Sequence, residues 1–300
     1  MNSPSVIVLV SDSGGANQAT KRQNRLLLAS PTVSIRNVNA DQCVVGVPLA
    51  APEIFRKGLS KPFENTTFVM FNDWGRNPDL HCAIAIAVET MGIQTSLPAL
   101  ARLSLDKPST LMRIHRAGIP VTPYLYGRAL LLPELVSEFG VTPARWILKP
   151  PNGSMGRGID VLIPDDLPLR CRARSDERLM LEPFREGEVD WRVLVMDGLA
   201  VGAIERRRIR GDINNTSLGA LGDWIGAERL EPVLGEIAER ACEATGVRFA
   251  GVDVLLGPDG YEICEVNFQS PLFSSGLFHE AKAELLHLTL GRLARNRGHG

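Results

Sequence analysis

The sequence predicts an α/β protein in which an N-terminal parallel layer is followed by antiparallel sheets. Three observations carry that prediction. The first hundred residues alternate short apolar runs with helix-prone stretches, as in a parallel α/β layer. The second half is instead a succession of apolar runs joined by tight turns at "MDG" and "GPDG", as in hairpins. At 300 residues, 44% hydrophobic and 22% charged, the chain is long enough for two or so domains with cores of their own.

The elements follow in order. "SVIVLV" is a first buried strand, a polar helix-prone stretch surrounds "NQATKRQNRLLLA", and "FVMF" is a further strand. In "PDLHCAIAIAVETMG", Leu80, Ala83, Ala87, Val88 and Met91 recur at near-helical spacing and Gly92 caps the helix. "DKPSTLMRIHRAGIPVTP" supplies an acidic start, an apolar side of Leu111, Ile114 and Ala117, and a stop at Gly118 and Pro120. "ARWILKPPNGSMGRGIDVLI" reads as strand, glycine loop, strand. "LMLEPF", "WRVLVMDGLAVGAIE" and "FAGVDVLLGPDGYEICEV" add further strands, with an amphipathic helix over "LEPVLGEIAERACEATG" closed by Gly246. The basic end "RLARNRGHG" is expected to fray.

Bulk properties exclude several classes. Thirty-three basic and 34 acidic side chains leave a formal charge of −1, so nothing global favours nucleic acid or an anionic membrane. No segment is apolar enough to span a bilayer, and the short run Val6 to Val10 lacks the basic flank of a signal peptide. Cys43, Cys82, Cys171, Cys242 and Cys264 show no CxxC spacing, so neither a zinc site nor a disulfide framework is expected, and the expected compartment is the reducing cytoplasm.

Four stretches carry chemistry. In "GVDVLLGPDGYEICEVN" the turn folds one strand onto the other, bringing Asp253 near Glu265 and Asn267, which share a strand face. Two carboxylates and an amide suit a hard cation such as Mg²⁺; a solvated strand end is the plain alternative. In "WILKPPNGSMGRGIDV", Lys149 ends an apolar strand and Gly153, Gly156 and Gly158 follow, so main-chain N–H groups can approach a phosphate. The spacing is neither the Walker pattern nor the dinucleotide fingerprint, and a flexible turn is the competing reading. "LMLEPF" could present main-chain groups of Glu182 and Phe184 to an adenine edge, with Asp190 beyond it for ribose hydroxyls; an acidic surface connection is the competing reading. "IERRRIRGDINN" places Arg206 and Arg208 on one strand face, as a phosphate clamp or as a solvated basic edge.

Taken in sequence, Lys107, Lys149, the glycine loop, "LEPF", Asp190, the arginine strand, "NN", "GVDV" and "EVN" make the chain resemble the ATP-grasp carboxylate–amine ligases. The branch it is most similar to holds bacterial glutathione synthetase and the RimK-type ribosomal-protein glutamate ligases. "WRVLVMDG" resembles the R-V-L-V-x-D-G stretch of glutathione synthetases and "EVNFQSP" their E-x-N-x-x-S-P ending. The resemblance covers roughly residues 76 to 285. It implies an N-terminal pre-ATP-grasp domain over 1–104, a central lobe with the glycine loop over 105–182 and a C-terminal lobe with the metal site over 183–300.

The same resemblance implies roles. Lys107 and Lys149 would contact ATP phosphates, beneath a loop containing Gly153, Ser154, Met155, Gly156 and Gly158. Glu182, Pro183 and Phe184 would hold the adenine; proline cannot donate, so the amide donor would be Phe184. Asp190 would take the ribose, Arg206 the transferring phosphoryl group, and Asn215 a place near the phosphates. Asp253, Glu265 and Asn267 would hold Mg²⁺, or Mn²⁺ in its place. The implied activity is ATP-dependent amide bond formation between a small-molecule or peptide carboxylate and an amine through an acyl phosphate. Alternatives are a ligase acting on a peptide or protein side chain, RimK-like or peptide-cyclising, and a non-catalytic nucleotide-binding module. A homodimer or homotetramer is the implied assembly. Leu218 stands where several relatives place an arginine, so a different acceptor pocket is expected.

Overall fold

The structure is a computed structural model that describes residues 5–10, 29–30, 33–46, 53–56, 63–71, 78–97, 106–152, 158–187, 189–207, 221–268 and 278–296. The N-terminal layer begins with β1 (Ser5–Val10) and β2 (Ser34–Asn39), followed by a small antiparallel pair, β3 (Cys43–Gly46) and β4 (Glu53–Arg56). With β5 (Thr66–Phe71) and β6 (Gln94–Thr95), the first two strands form a parallel sheet in the order β2-β1-β5-β6. The helix α1 (Pro78–Thr90) buries Ile84, Ala85, Ala87 and Val88, and Gly92 closes it at φ +71°. The expected parallel layer is therefore present, with strands β2 and β6 that the sequence pattern did not single out.

The helix α2 (Lys107–Arg116) starts as its sequence demands: the Asp106 carboxylate accepts from the Ser109 N–H at 2.7 Å, and proline fills the first turn. Four strands follow, β7 (Leu125–Arg128), β8 (Trp146–Lys149), β9 (Asp160–Leu162) and β10 (Arg178–Pro183). They form an antiparallel sheet in the order β7-β10-β8-β9. The short helices α3 (Leu132–Leu135) and α4 (Leu167–Ala173) pack on it around Trp146, Leu148, Leu179 and Leu181.

The third sheet is built from β11 (Val189–Met196), β12 (Leu199–Arg207), β13 (Leu221–Gly226), β14 (Phe249–Gly257) and β15 (Gly260–Asn267), in the order β13-β12-β11-β14-β15. Both turns expected from the sequence form its hairpins: Asp197 and Gly198 adopt positive φ between β11 and β12, and "GPDG" joins β14 to β15. The helix α5 (Pro232–Thr245) covers one face with Leu234, Ile237, Ala238, Ala241 and Cys242, a 3.6-residue stripe, and ends at Gly246 in the left-handed region.

The opposite face divides in two. At one end Met196 and Phe249 pack with Val6, Phe68 and Met70 of the first sheet and with Leu286, Leu290 and Leu293 of α6 (His279–Asn296). At the other end it carries charge. The basic C-terminal stretch is helical as far as Asn296, because α6 is held against the sheet by that core, rather than frayed from Arg292 onward as expected. The three larger sheets fall within 1–104, 105–182 and 183–300, except that β10 runs one residue further, to Pro183, and we propose those ranges as the units of the fold. Among the described residues no helix is long and apolar enough to cross a membrane.

Candidate functional site

Alternation along the strands of the third sheet builds the charged end. Asp190 and Arg192 are two apart on β11 and share a face. Register places Asp190 opposite Arg206 of β12, and Arg192 opposite Asp253 of β14. Asp253 in turn lies opposite Glu265 of β15, and the register then shifts, leaving Cys264 as an extra residue in β15. Such a bulge re-aims the side chains around it.

The contacts at Asp253 are dense. Its Oδ1 meets Arg192 Nε at 2.7 Å and Arg206 Nη2 at 3.1 Å; its Oδ2 meets Arg192 Nη2 at 2.7 Å and Asn267 Nδ2 at 3.1 Å. Burial alone would raise the Asp253 pKa, but Arg192 and Arg206 outweigh burial and hold the carboxyl below its ordinary range. Arg206 Nε also donates to Asp190 Oδ1. Burial raises Asp190 to about 6 despite the opposing pull of Arg206. Buried charges are costly unless paired, and here each carboxylate has a guanidinium.

The second half of the site comes from the central sheet. Lys149 ends β8 opposite Met180, so Glu182, two residues on in β10, is its diagonal neighbour on the same face. Lys149 Nζ lies 2.7 Å from Glu182 Oε2, and both side chains are almost fully buried. Burial would lower the Lys149 ammonium, but Glu182 reverses this and holds it above its ordinary value. The other oxygen, Glu182 Oε1, is buried and has no hydrogen-bond partner among the described residues. A buried acceptor left unmade costs about 1–3 kcal/mol, so this atom marks a place for a donor.

The two halves meet at Cys264. Burial raises its thiol to about 12, with Lys149 pulling the other way and Glu182 and Glu265 close by. Lys107, in the first turn of α2, places Nζ 3.4 Å from Glu265 Oε1, and its backbone N–H reaches the Pro151 carbonyl at 3.5 Å. Tyr124 closes the α2 side by donating to the Pro108 carbonyl at 2.7 Å; burial, Asp106 and Glu182 all raise its pKa.

The structure thus brings together Lys107, Lys149, Glu182, Asp190, Arg206, Asp253, Glu265 and Asn267. Gly158 ends the glycine loop at φ +71°, where a Cβ would lie 3.0 Å from Pro150 Cγ. Gly153, Ser154, Met155, Gly156, Arg208, Asn215 and Leu218 lie outside the described residues. Two expectations need correction. The Phe184 N–H donates to the Arg145 carbonyl at 2.9 Å, because β10 continues its pairing with the β8 chain past Pro183, so Phe184 is not the open donor expected for adenine. Its ring instead lies 4.1 Å beneath the Arg145 guanidinium. Asp190 sits with Arg206, near Asp253, rather than with Glu182, so its geometry offers no exposed acceptor for a ribose.

Sequence reasoning missed Arg192 and Cys264. Arg192 follows Asp190 by two, at the start of "WRVLVMDG", so strand periodicity could have placed it on the charged face; the bulge at Cys264 leaves no local signal. Among the described residues no group of three or more His, Cys, Asp or Glu side chains forms a metal cage. The candidate donors are hard oxygens from Asp253, Glu265 and Asn267, a set suited to Mg²⁺. Each carboxylate oxygen has two lone pairs, and on Asp253 four nitrogens already face them, so a metal fits there when one nitrogen is exchanged for it.

Residues 147–280 match the model of the RimK-like ATP-grasp domain. This stretch of the chain is similar to the RimK-like ATP-grasp domain. Over 194 residues, 62% of the chain, it is 30% identical to a probable alpha-L-glutamate ligase of Parasynechococcus marenigrum and 28% identical to one of Trichodesmium erythraeum. It spans 41% and 63% of those proteins' lengths. The ATP-grasp ligase fold extends across nearly the whole chain: the ATP-grasp ligase PsnB, solved with a minimal precursor, Mg and ADP, superposes with a TM-score of 0.72 at 19% identity, covering 96% of this chain and 98% of that one. The site assembled above lies at the junction of the two ATP-grasp sheets, and all of it from Lys149 to Asn267 falls inside the matched domain.

Proposed function

We propose that this protein is an ATP-dependent carboxylate–amine ligase whose nucleotide lies between the central and C-terminal sheets. The observation that carries the reading is Glu182: a buried carboxylate with one oxygen on Lys149 and the other without a partner among the described residues, at the seam between the sheets. An exocyclic adenine amine is a donor of the kind that oxygen lacks, and this side-chain contact replaces the Phe184 amide as the recognition element.

The chemistry divides among residues already in place. A substrate carboxylate oxygen attacks the γ-phosphorus of ATP, the bond to the β–γ bridging oxygen breaks, and ADP leaves. The acyl phosphate is attacked at its carbonyl carbon by an amine, which loses a proton as phosphate departs. Lys107 and Lys149 neutralise phosphate charge, and Arg206 faces the group in transfer; both are effects of position and charge. Asp253, Glu265 and the Asn267 amide would hold Mg²⁺, which supplies charge neutralisation on the phosphates when bound.

Two acceptor classes fit this reading. The first is a free amino acid or small peptide. The second is a peptide or protein side chain, and it is supported by the likeness to PsnB, solved with a peptide precursor. Five free thiols support a reducing cytoplasm, and a homodimer or homotetramer is the assembly proposed. The test is phosphate release with ATP and pooled carboxylates and amines, then with polypeptides, followed by mass spectrometry of the product. Lys149→Ala and Glu265→Ala should each abolish ADP formation while retaining the far-ultraviolet circular dichroism of the parent. Wild-type turnover in either variant would refute the assignment.

A further inference from the structure

The two arginines on Asp253 are not equivalent. Arg192 is its cross-strand partner and grips both carboxylate oxygens at 2.7 Å, the fork geometry that guanidinium favours. Arg206 is the cross-strand partner of Asp190, donates to it through Nε, and reaches Asp253 only with Nη2, at 3.1 Å. Asp253 Oδ1 therefore has one strong nitrogen contact and one weaker one, and Glu265 pairs with it from the next strand, with Lys107 3.4 Å from the glutamate.

We propose that Arg206 is an exchangeable counter-ion: in the nucleotide-free protein its Nη2 occupies the place of the metal on Asp253, and arrival of the metal with nucleotide turns it toward the phosphates while Nε stays on Asp190. Arg192 is the positioning residue that keeps Asp253 oriented throughout. This rests on the nucleotide reading above. It follows that metal alone binds poorly, because it must displace a cation that has nowhere better to go. With nucleotide present the displaced guanidinium gains phosphate oxygens, so metal and nucleotide bind together.

The experiment measures Mn²⁺ binding by electron paramagnetic resonance, with and without ADP. Wild type should bind Mn²⁺ weakly alone and tightly with ADP. Arg206→Met should bind Mn²⁺ alone about tenfold more tightly than wild type, the size expected for removing one competing charged hydrogen bond. Since that variant leaves Asp190 buried without its arginine, Asp190→Asn combined with Arg206→Met serves as the second variant and should show the same gain. Adding Glu265→Gln should abolish it. An unchanged or weaker affinity for Mn²⁺ alone in the folded variants overturns the proposal, as does a gain that survives Glu265→Gln. Failure of wild type to bind Mn²⁺ even with ADP overturns instead the nucleotide reading beneath it.

Discussion

Glu182 and Lys149 share one buried pair, yet each answers to a different pressure. The ammonium needs the carboxylate to stay charged where water is excluded, and the carboxylate keeps an oxygen in reserve. Glu182→Gln keeps the shape but removes the charge. It should lower unfolding free energy by about 3 kcal/mol, the scale of breaking a buried pair, and weaken ATP binding in calorimetry. Lys282 is the second informative residue. It lies in the first turns of α6, almost fully buried, and burial followed by repulsion from Arg192 lowers its ammonium to about 7. The folded protein thus holds this proton less tightly than the unfolded chain. Stability should rise with pH from about 7 toward the ordinary lysine range, by about 1.4 kcal/mol per pH unit at most. Urea unfolding at about pH 7 and about pH 9, at the onset of that window and inside it, should show the rise, and Lys282→Met should remove it.

At the scale of elements, the site depends on strands being close and in register. Gly202 in β12 has φ +151°, and a Cβ there would lie 2.7 Å from the Ile225 carbonyl oxygen and 2.7 Å from a Trp224 ring carbon. Gly202→Ala must therefore push β13 from β12. It should cost about 2 kcal/mol or more and speed amide exchange in β13, measured by hydrogen–deuterium exchange. The turn that folds β15 back along β14 was legible because "GPDG" names it, but the register that sets Asp253 opposite Glu265 depends on the bulge at Cys264, which has no local signal. The hydrogen bond of the Phe184 amide was not legible either, because how far β10 runs beyond Pro183 is decided by Arg145, far earlier in the sequence. Likewise Asp190 carries no local sign of its pairing: its partner is set by the β11–β12 register, and that register shifts between Leu194 and Val195.

Across the whole molecule, the C-terminal helix ties the ends of the chain together. Leu286, Leu290 and Leu293 of α6 share one core with Val6, Phe68 and Met70 from the N-terminal sheet and Met196 and Phe249 from the third. Leu290→Ala should cost about 2–5 kcal/mol, and both halves should lose stability together when urea unfolding is followed by fluorescence and circular dichroism. The amino-acid sequence by itself determined the parallel-then-antiparallel plan, the helix ends at Asp106 and Gly246, and the hairpin that carries Asp253, Glu265 and Asn267, since turns and caps are local, while the bulge that sets those three on one face is not. Tertiary structure alone decided which charges pair. Arg192 with Asp253, Arg206 with Asp190, Glu182 with Lys149 and Lys107 with Glu265 are contacts between different elements, and only packing brings their charges close enough to choose partners.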